Sequence, residues 1–94
     1  KTVDQLIREL RQGENEIIRS VAAAELGHMK SQEAIGPLIL ALKDRHAYVK
    51  HGAAWALGEI KSDKAVEALR QALNDDDNIT RMKAVEALGK IMGT

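Results

Sequence analysis

Apolar residues along this chain follow two periods, one of a helical turn and a longer one of 31 residues. Within 49–60 the apolar side chains are spaced three and four apart, so a helix places them on one stripe. They are Val49, Ala53, Ala56, Leu57 and Ile60. A second stripe follows within 64–73, formed by Ala65, Val66, Leu69, Ala72 and Leu73. The pattern predicts a pair of short amphipathic helices, which we call the A helix and the B helix.

The same pair recurs in both directions along the chain. Its clearest mark is a Leu-Gly dipeptide in each A helix, at Leu26-Gly27, Leu57-Gly58 and Leu88-Gly89. The register extends to a basic residue of the A helix and an aspartate after the B helix, namely Arg19, Lys50 and Arg81 with Asp44 and Asp75. A fixed period of this length indicates a helical repeat array, in which each pair buries its stripe against its neighbours. We interpret the basic and acidic residues as ion pairs between repeats. The glycines either permit close helix approach at the repeat junction or loosen the helix end.

The repeat predicts six helices, at about 3–12, 16–29, 32–43, 47–60, 63–74 and 78–92. They form one all-α domain over 1–94, an α-solenoid of helix pairs in a right-handed superhelical stack. It comprises a half-repeat 3–12, repeats 16–43 and 47–74, and a half-repeat 78–92. The expected N-caps are Asn15, His46 and Asp77 for the A helices, and Ser31 and Ser62 for the B helices.

The ends of the chain carry no polar capping repeat, and the first residue is Lys1 rather than Met. Terminal repeats of a solenoid normally need a polar outer face. Both observations favour further repeats in a longer protein, or a homo-oligomer formed through the uncapped terminal repeats.

Composition narrows the classes of function. Fourteen basic and fourteen acidic residues balance to zero net charge, so the chain lacks the basic excess that drives nucleic-acid binding. The absence of cysteine excludes disulfides and thiolate metal sites. The longest apolar run, 37–42, is too short to span a bilayer, and no signal-peptide pattern is present. We expect a cytoplasmic protein with no cofactor and no nucleic-acid or membrane partner.

The A helices resemble those of a known repeat family. The strings IRSVAAAELG (18–27), VKHGAAWALGEI (49–60) and RMKAVEALGKI (81–91) are similar to the V-R-x-x-A-A-x-A-L-G-x-I helix of the HEAT-like repeats named after phycobilisome lyases. The string AVEALRQAL (65–73) is similar to the second helix of that family. The resemblance covers nearly the whole chain and implies a HEAT-like fold. It does not single out a function, because this repeat occurs in scaffolds, bilin lyases and a hydroxylase.

The candidate binding surface is the side of the A helices opposite the core stripe. In the middle repeat it carries Tyr48, His51, Trp55 and Glu59, and the equivalent positions are Ile17, Ser20, Ala24 and His28, then Ile79, Met82, Glu86 and Lys90. The resemblance implies that these are the variable positions of a concave, ligand-binding face. Trp and Tyr often anchor interfaces, and Met is an adaptable contact. We therefore predict a patch centred on Tyr48, Trp55, Ile79 and Met82, with an exposed Trp55.

Structural explanations compete with this interpretation. Trp55 could instead pack sideways into the next repeat, and Ile17, Tyr48 and Ile79 could be hydrophobic staples, which we favour for the two isoleucines. The row His28–Glu59–Lys90 fits a solvated ladder of charges better than a binding feature. His51 occupies the His position of the iron-binding His-Glu dyads of deoxyhypusine hydroxylase, but Gly52 replaces the Glu, so we predict no metal site.

The leading hypothesis is a non-catalytic scaffold that binds a protein or peptide partner on this face. Polar groups spaced along a ladder do not converge in a pocket, so we predict no catalytic residues and no enzyme activity. Two alternatives stay open: a bilin-handling lyase-like or chaperone module of the same repeat family, and a structural, self-associating segment of a larger repeat protein.

Overall fold

The computed structural model describes residues 1–93, which form six α-helices joined by short turns. The helices are α1 (Val3–Gln12), α2 (Glu16–His28), α3 (Ile35–Ala41), α4 (Ala47–Ile60), α5 (Val66–Ala72) and α6 (Asn78–Met92). Three-residue 3-10 turns, Gln32–Ala34 and Asp63–Ala65, lead directly into α3 and α5. The A helices are α2, α4 and α6, and the B helices are α1, α3 and α5. The predicted all-α solenoid of six helices is confirmed.

Most helices begin at the predicted caps. The side chains of Asn15, His46, Ser62 and Asp77 each accept a hydrogen bond from a backbone N–H in the turn that follows. Ser31 is the exception, because its Oγ is buried and has no hydrogen-bond partner among residues 1–93. Ser31 therefore stands at the predicted N-cap position but makes no capping hydrogen bond, and a buried hydroxyl without a partner costs stability.

The A helices form the inner layer of a curved stack. α2 packs directly on α4, and α4 on α6, whereas α3 and α5 make very few direct contacts with each other. Because the A helices contact each other directly and α3 and α5 hardly do, we infer that the stack curves with α2, α4 and α6 on its concave side. The core lies between the two layers, and the predicted stripe of α4 is buried throughout.

Two glycines allow this close spacing. A Cβ on Gly27 would lie 2.8 Å from the Cα of Ala56, and a Cβ on Gly58 would lie 2.9 Å from the Cα of Ala87. Both distances are well inside the carbon–carbon contact distance of about 3.5–4.0 Å. The prediction that the Leu-Gly positions permit close helix approach is confirmed at these two junctions.

Ion pairs tie each A helix to the turn that precedes the next one. Arg19 contacts Asp44 through Nε and Nη2, at 3.0 and 3.2 Å, and Lys50 Nζ contacts Asp75 Oδ1 at 2.8 Å. Burial raises the pKa of both carboxyls, but the paired cation and a backbone N–H outweigh it, and each pKa lies below its usual value. The predicted ion pairing between repeats is confirmed.

Candidate binding surface of the A helices

An apolar row crosses the concave side at the start of the A helices. It consists of Ile17, Tyr48 and Ile79, which are 62%, 61% and 44% exposed. Each is the second residue after its N-cap, whereas a hydrophobic staple joins the residue before the cap to one in the first full turn. The staple explanation, favoured from the sequence for the two isoleucines, therefore does not fit their positions. The row is exposed to solvent.

Tyr48 lies between two imidazole rings on this surface. Its ring centroid is 4.9 Å from that of His46 and 6.2 Å from that of His51. These neighbours belong to the same helix start, so they limit the space open to the phenol ring. The exposed aromatic side chain is therefore held by a local cluster rather than projecting freely.

His51 links α4 to α6. Its Nε2–H donates to Asp77 Oδ2 at 2.6 Å, and the same oxygen accepts from the N–H and the hydroxyl of Thr80, both at 2.8 Å. The hydrogen bonds from His51 and Thr80 hold the pKa of Asp77 well below its usual value. His51 is thus engaged in joining two repeats, which leaves Met82, at the equivalent position of α6, as the exposed side chain of this second row.

Trp55 is half-buried, which differs from the predicted exposed anchor. Its ring meets that of His28 edge to face, with centroids 4.8 Å apart, and its Cζ3 lies in the space that a side chain on Gly27 would occupy. The indole packs against the core from the side of α2. The physical reason is the missing side chain at Gly27, which opens a slot between α2 and α4. Trp55 therefore packs sideways, as the structural alternative predicts, but against α2 of the preceding repeat rather than into the next repeat.

Charged residues at the far end of the concave side form local pairs. Lys90 Nζ lies 2.5 Å from Glu59 Oε2, and this hydrogen bond lowers the pKa of Glu59. Glu86 is exposed and 3.8 Å from Lys83 on its own helix. Ser20 and Ala24 are half-buried small residues on α2. Each exposed pair of this kind contributes little stability, which is what we expect of a solvated ladder of charges.

Two apolar faces lie outside the predicted surface, one at each end of the stack. Ile18 and Val21 are exposed on α2, and Val85 and Met92 are exposed on α6. These two faces could have been predicted from the alignment of the repeats. Val85 stands where the other A helices have Ala23 and Ala54, and Val21 stands where α4 has Gly52.

Nothing in the described part of the chain gathers three or more His, Asp or Glu side chains in the way a metal ion requires. Across residues 1–93, every helix is too short or too polar to cross a bilayer. His51, the one residue matching an iron-binding dyad, is hydrogen bonded to Asp77 instead.

Comparison with known proteins agrees with this architecture. The family model for HEAT repeats matches residues 3–89, which is nearly the whole chain. No curated protein matches the chain significantly. HEAT repeats generally mediate protein–protein interactions. The match, the helix pairs and the 31-residue period agree, and the chain belongs to the HEAT repeat family.

Proposed function

We propose that this protein is a non-catalytic module that binds a protein segment or peptide on the concave side of α2, α4 and α6. The observation that carries the proposal is the exposed apolar row Ile17–Tyr48–Ile79, with Met82 beside it. Single exposed apolar residues need no explanation, whereas exposed apolar residues that recur at one position of three neighbouring helices suggest an interaction site.

The spacing of the row suits an extended segment. Neighbouring packed helices lie about 8–10 Å apart, so three A helices place the ends of the row roughly 16–20 Å apart. An extended chain advances about 3.3 Å per residue, and five or six residues would span the row. Alternate side chains of such a segment would face the three apolar positions.

Tyr48 is the expected anchor of the surface. It is aromatic, lies at the centre of the row, and is held by His46 and His51. Anchoring aromatics of protein interfaces typically cost 2 kcal/mol or more when truncated, which is about a 30-fold loss of affinity. Met82 offers an unbranched, adaptable contact on the neighbouring helix α6.

The test compares two equally exposed positions. Tyr48→Ala removes the anchor, and Leu40→Ala alters a side chain that is 63% exposed on α3, in the outer layer. A partner captured from extracts of the source cell is purified, and its affinity for each variant is measured by calorimetry. We expect a loss of about 30-fold for Tyr48→Ala and no change for Leu40→Ala. The reverse pattern would place the binding face on the B helices and refute the proposal.

The alternative of a bilin-handling module predicts a free acid on the concave side to contact the tetrapyrrole. Of the acids of this surface, Glu59 and Asp77 are engaged by Lys90 and His51, and the exposed Glu86 lies 3.8 Å from Lys83. We therefore expect the absorption spectrum of a free bilin to stay unchanged when the protein is added. A clear shift that is lost in Tyr48→Ala would favour the bilin module over the peptide-binding proposal.

A further inference from the structure

We propose that the C-terminal ends of the A helices form a site for acidic side chains of the partner that binds the concave side. The site consists of Lys30, Lys61 and Lys90, which we call the lysine cluster. The inference deepens the proposed function and rests on it, because it names the chemistry of the same partner at the far end of the A helices from the apolar row.

Two members of the lysine cluster hold a backbone conformation that favours glycine. Lys30 and Lys61 have φ angles of 52° and 59°, in the left-handed region, where α2 and α4 end. A Cβ makes this conformation costly, so helices commonly end there on glycine. α6 does so, because its C-cap is Gly93 with a φ of 76°. The backbone therefore does not require lysine at these two positions, and the side chains need another explanation.

Compensation of the helix dipole explains only part of this choice. A cation near the C-terminus of a helix is stabilising, but it can act from an ordinary helical position in the last turn. His28 and Lys90 occupy such positions in α2 and α6. α2 thus has a basic side chain at its end already, and Lys30 adds a second one in a costly conformation.

The three lysines lie around one acid of the concave side. Lys90 Nζ contacts Glu59 Oε2 at 2.5 Å, and the charges of Lys30 and Lys61 also help to lower the pKa of Glu59. Lys30 and Lys61 are exposed and form no salt bridge within residues 1–93. Three cations against one carboxylate leave a positive surplus at this place, in a chain whose net charge is zero.

The chemistry of the cluster favours carboxylates of a protein segment. Glu59 already accepts from Lys90, so Lys30 and Lys61 are the cations left for a partner. Nucleic acid is disfavoured, since its binding draws on a basic excess that this chain lacks. Tyr48 and Lys61 stand at the two ends of α4, thirteen residues apart, which is about 20 Å along a helix. The partner should therefore carry acidic side chains about 20 Å from its apolar ones.

Lys30→Gly and Lys61→Gly separate the charge of the side chain from the conformation of the backbone. Each variant relieves the left-handed lysine, so the melting temperature should rise by roughly 2–8 °C in circular dichroism. The same variants remove a cation from the cluster and should bind acidic ligands less well. A fall in melting temperature would mean that the lysine stabilises the fold, which would overturn the inference.

A capped peptide of glutamates serves as the binding probe. It is titrated at low salt into the full chain, and two-dimensional NMR of the backbone amides follows the complex. Saturable shifts should be confined to the ends of α2, α4 and α6 and should weaken as salt is added. Loss of one lysine should weaken the affinity by about 2–5-fold, and loss of both should weaken it further.

Two control variants accompany the titration. Lys61→Arg keeps the charge and should retain the affinity for the peptide. Lys43→Gln removes an exposed lysine from the turn before α4, at the opposite end of that helix, and should leave the affinity unchanged. The absence of saturable shifts, or shifts spread evenly over all lysines, would overturn the lysine cluster. So would an unchanged affinity of the variant that lacks both Lys30 and Lys61.

Tyr48→Ala distinguishes this inference from the proposed function. Because Tyr48 lies about 20 Å from the cluster, this variant should bind the glutamate peptide as the wild type does. A failed titration therefore counts against the cluster and leaves the apolar row untouched. Conversely, a natural partner whose affinity ignores Tyr48→Ala would refute the apolar row, while the peptide would still report on the lysines.

Discussion

Gly58→Ala tests whether direct contact between A-helix backbones sets the spacing of the repeats. The added Cβ would lie 2.9 Å from Ala87 Cα and 3.1 Å from Ala87 Cβ. To restore ordinary contact, α4 and α6 must separate by up to about 1 Å. Overpacking of this kind costs about 1–3 kcal/mol, toward the upper end here because the obstructing atoms include backbone. Replacing a helical glycine by alanine stabilises the helix by about 1 kcal/mol, which offsets part of this cost.

We therefore expect Gly58→Ala to lower the free energy of unfolding by about 1–2 kcal/mol. In a domain of this size that loss corresponds to a melting temperature lower by roughly 5–15 °C. Urea unfolding, followed by circular dichroism and by the fluorescence of Trp55, measures the change.

Gly36→Ala is the matched control, because a Cβ there meets nothing within 4 Å. It should be neutral or stabilise by up to about 0.5 kcal/mol, since Pro37 offsets part of the gain in helix propensity. If Gly58→Ala proves as stable as Gly36→Ala, steric contact is not the reason for the recurring Leu-Gly dipeptide.

Three further predictions concern the core and the ion pairs. Asp44→Ala leaves the buried guanidinium of Arg19 without its carboxylate and should cost about 2–4 kcal/mol in urea unfolding; an unchanged midpoint would contradict a structural role for the pair. Leu38→Ala removes a fully buried side chain and should cost about 2–5 kcal/mol, so a loss below about 1 kcal/mol would mean that the core collapses around the site. The pKa values of Asp44, Asp75 and Asp77 are lowered from 3.8 by folding, so their stabilising effect is complete above that value and is lost as the pH falls below it. The melting temperature should hold steady near neutral pH and drop in acid, and a flat profile down to about pH 2 would argue against this linkage.

The helices could be predicted from the sequence because two periods reinforce each other. The bounds predicted for 3–12, 47–60 and 78–92 agree with α1, α4 and α6. The starts of the B helices were predicted less well, since 32–34 and 63–65 are 3-10 turns. Three residues are too few for an apolar pattern to distinguish a 3-10 turn from the first turn of an α-helix.

The binding surface could be predicted only in part, because a helical wheel assigns a side chain to a face but not to a neighbour. Tyr48 and Trp55 both fall on the outward face of α4, yet only Trp55 finds a slot beside it, above Gly27. The contact of His51 with Asp77 likewise depends on how two repeats are placed in space. Such contacts join residues more than 25 positions apart, and no local pattern specifies them.

The unequal spacing of the two layers determines how the molecule can deform. α2, α4 and α6 are held by close contacts, whereas a groove lined by Ile39, Ala68 and Gln71 separates α3 from α5. We expect bending of the stack to widen or narrow this groove while the inner helices keep their distances. The layer of A helices should then be stiffer than the layer of B helices. A ligand bound along the A helices would find its contact points at constant distances from one another. The curvature of the surface that carries these points could still adjust. Small differences in ligand shape could then be absorbed by bending, without repacking the core.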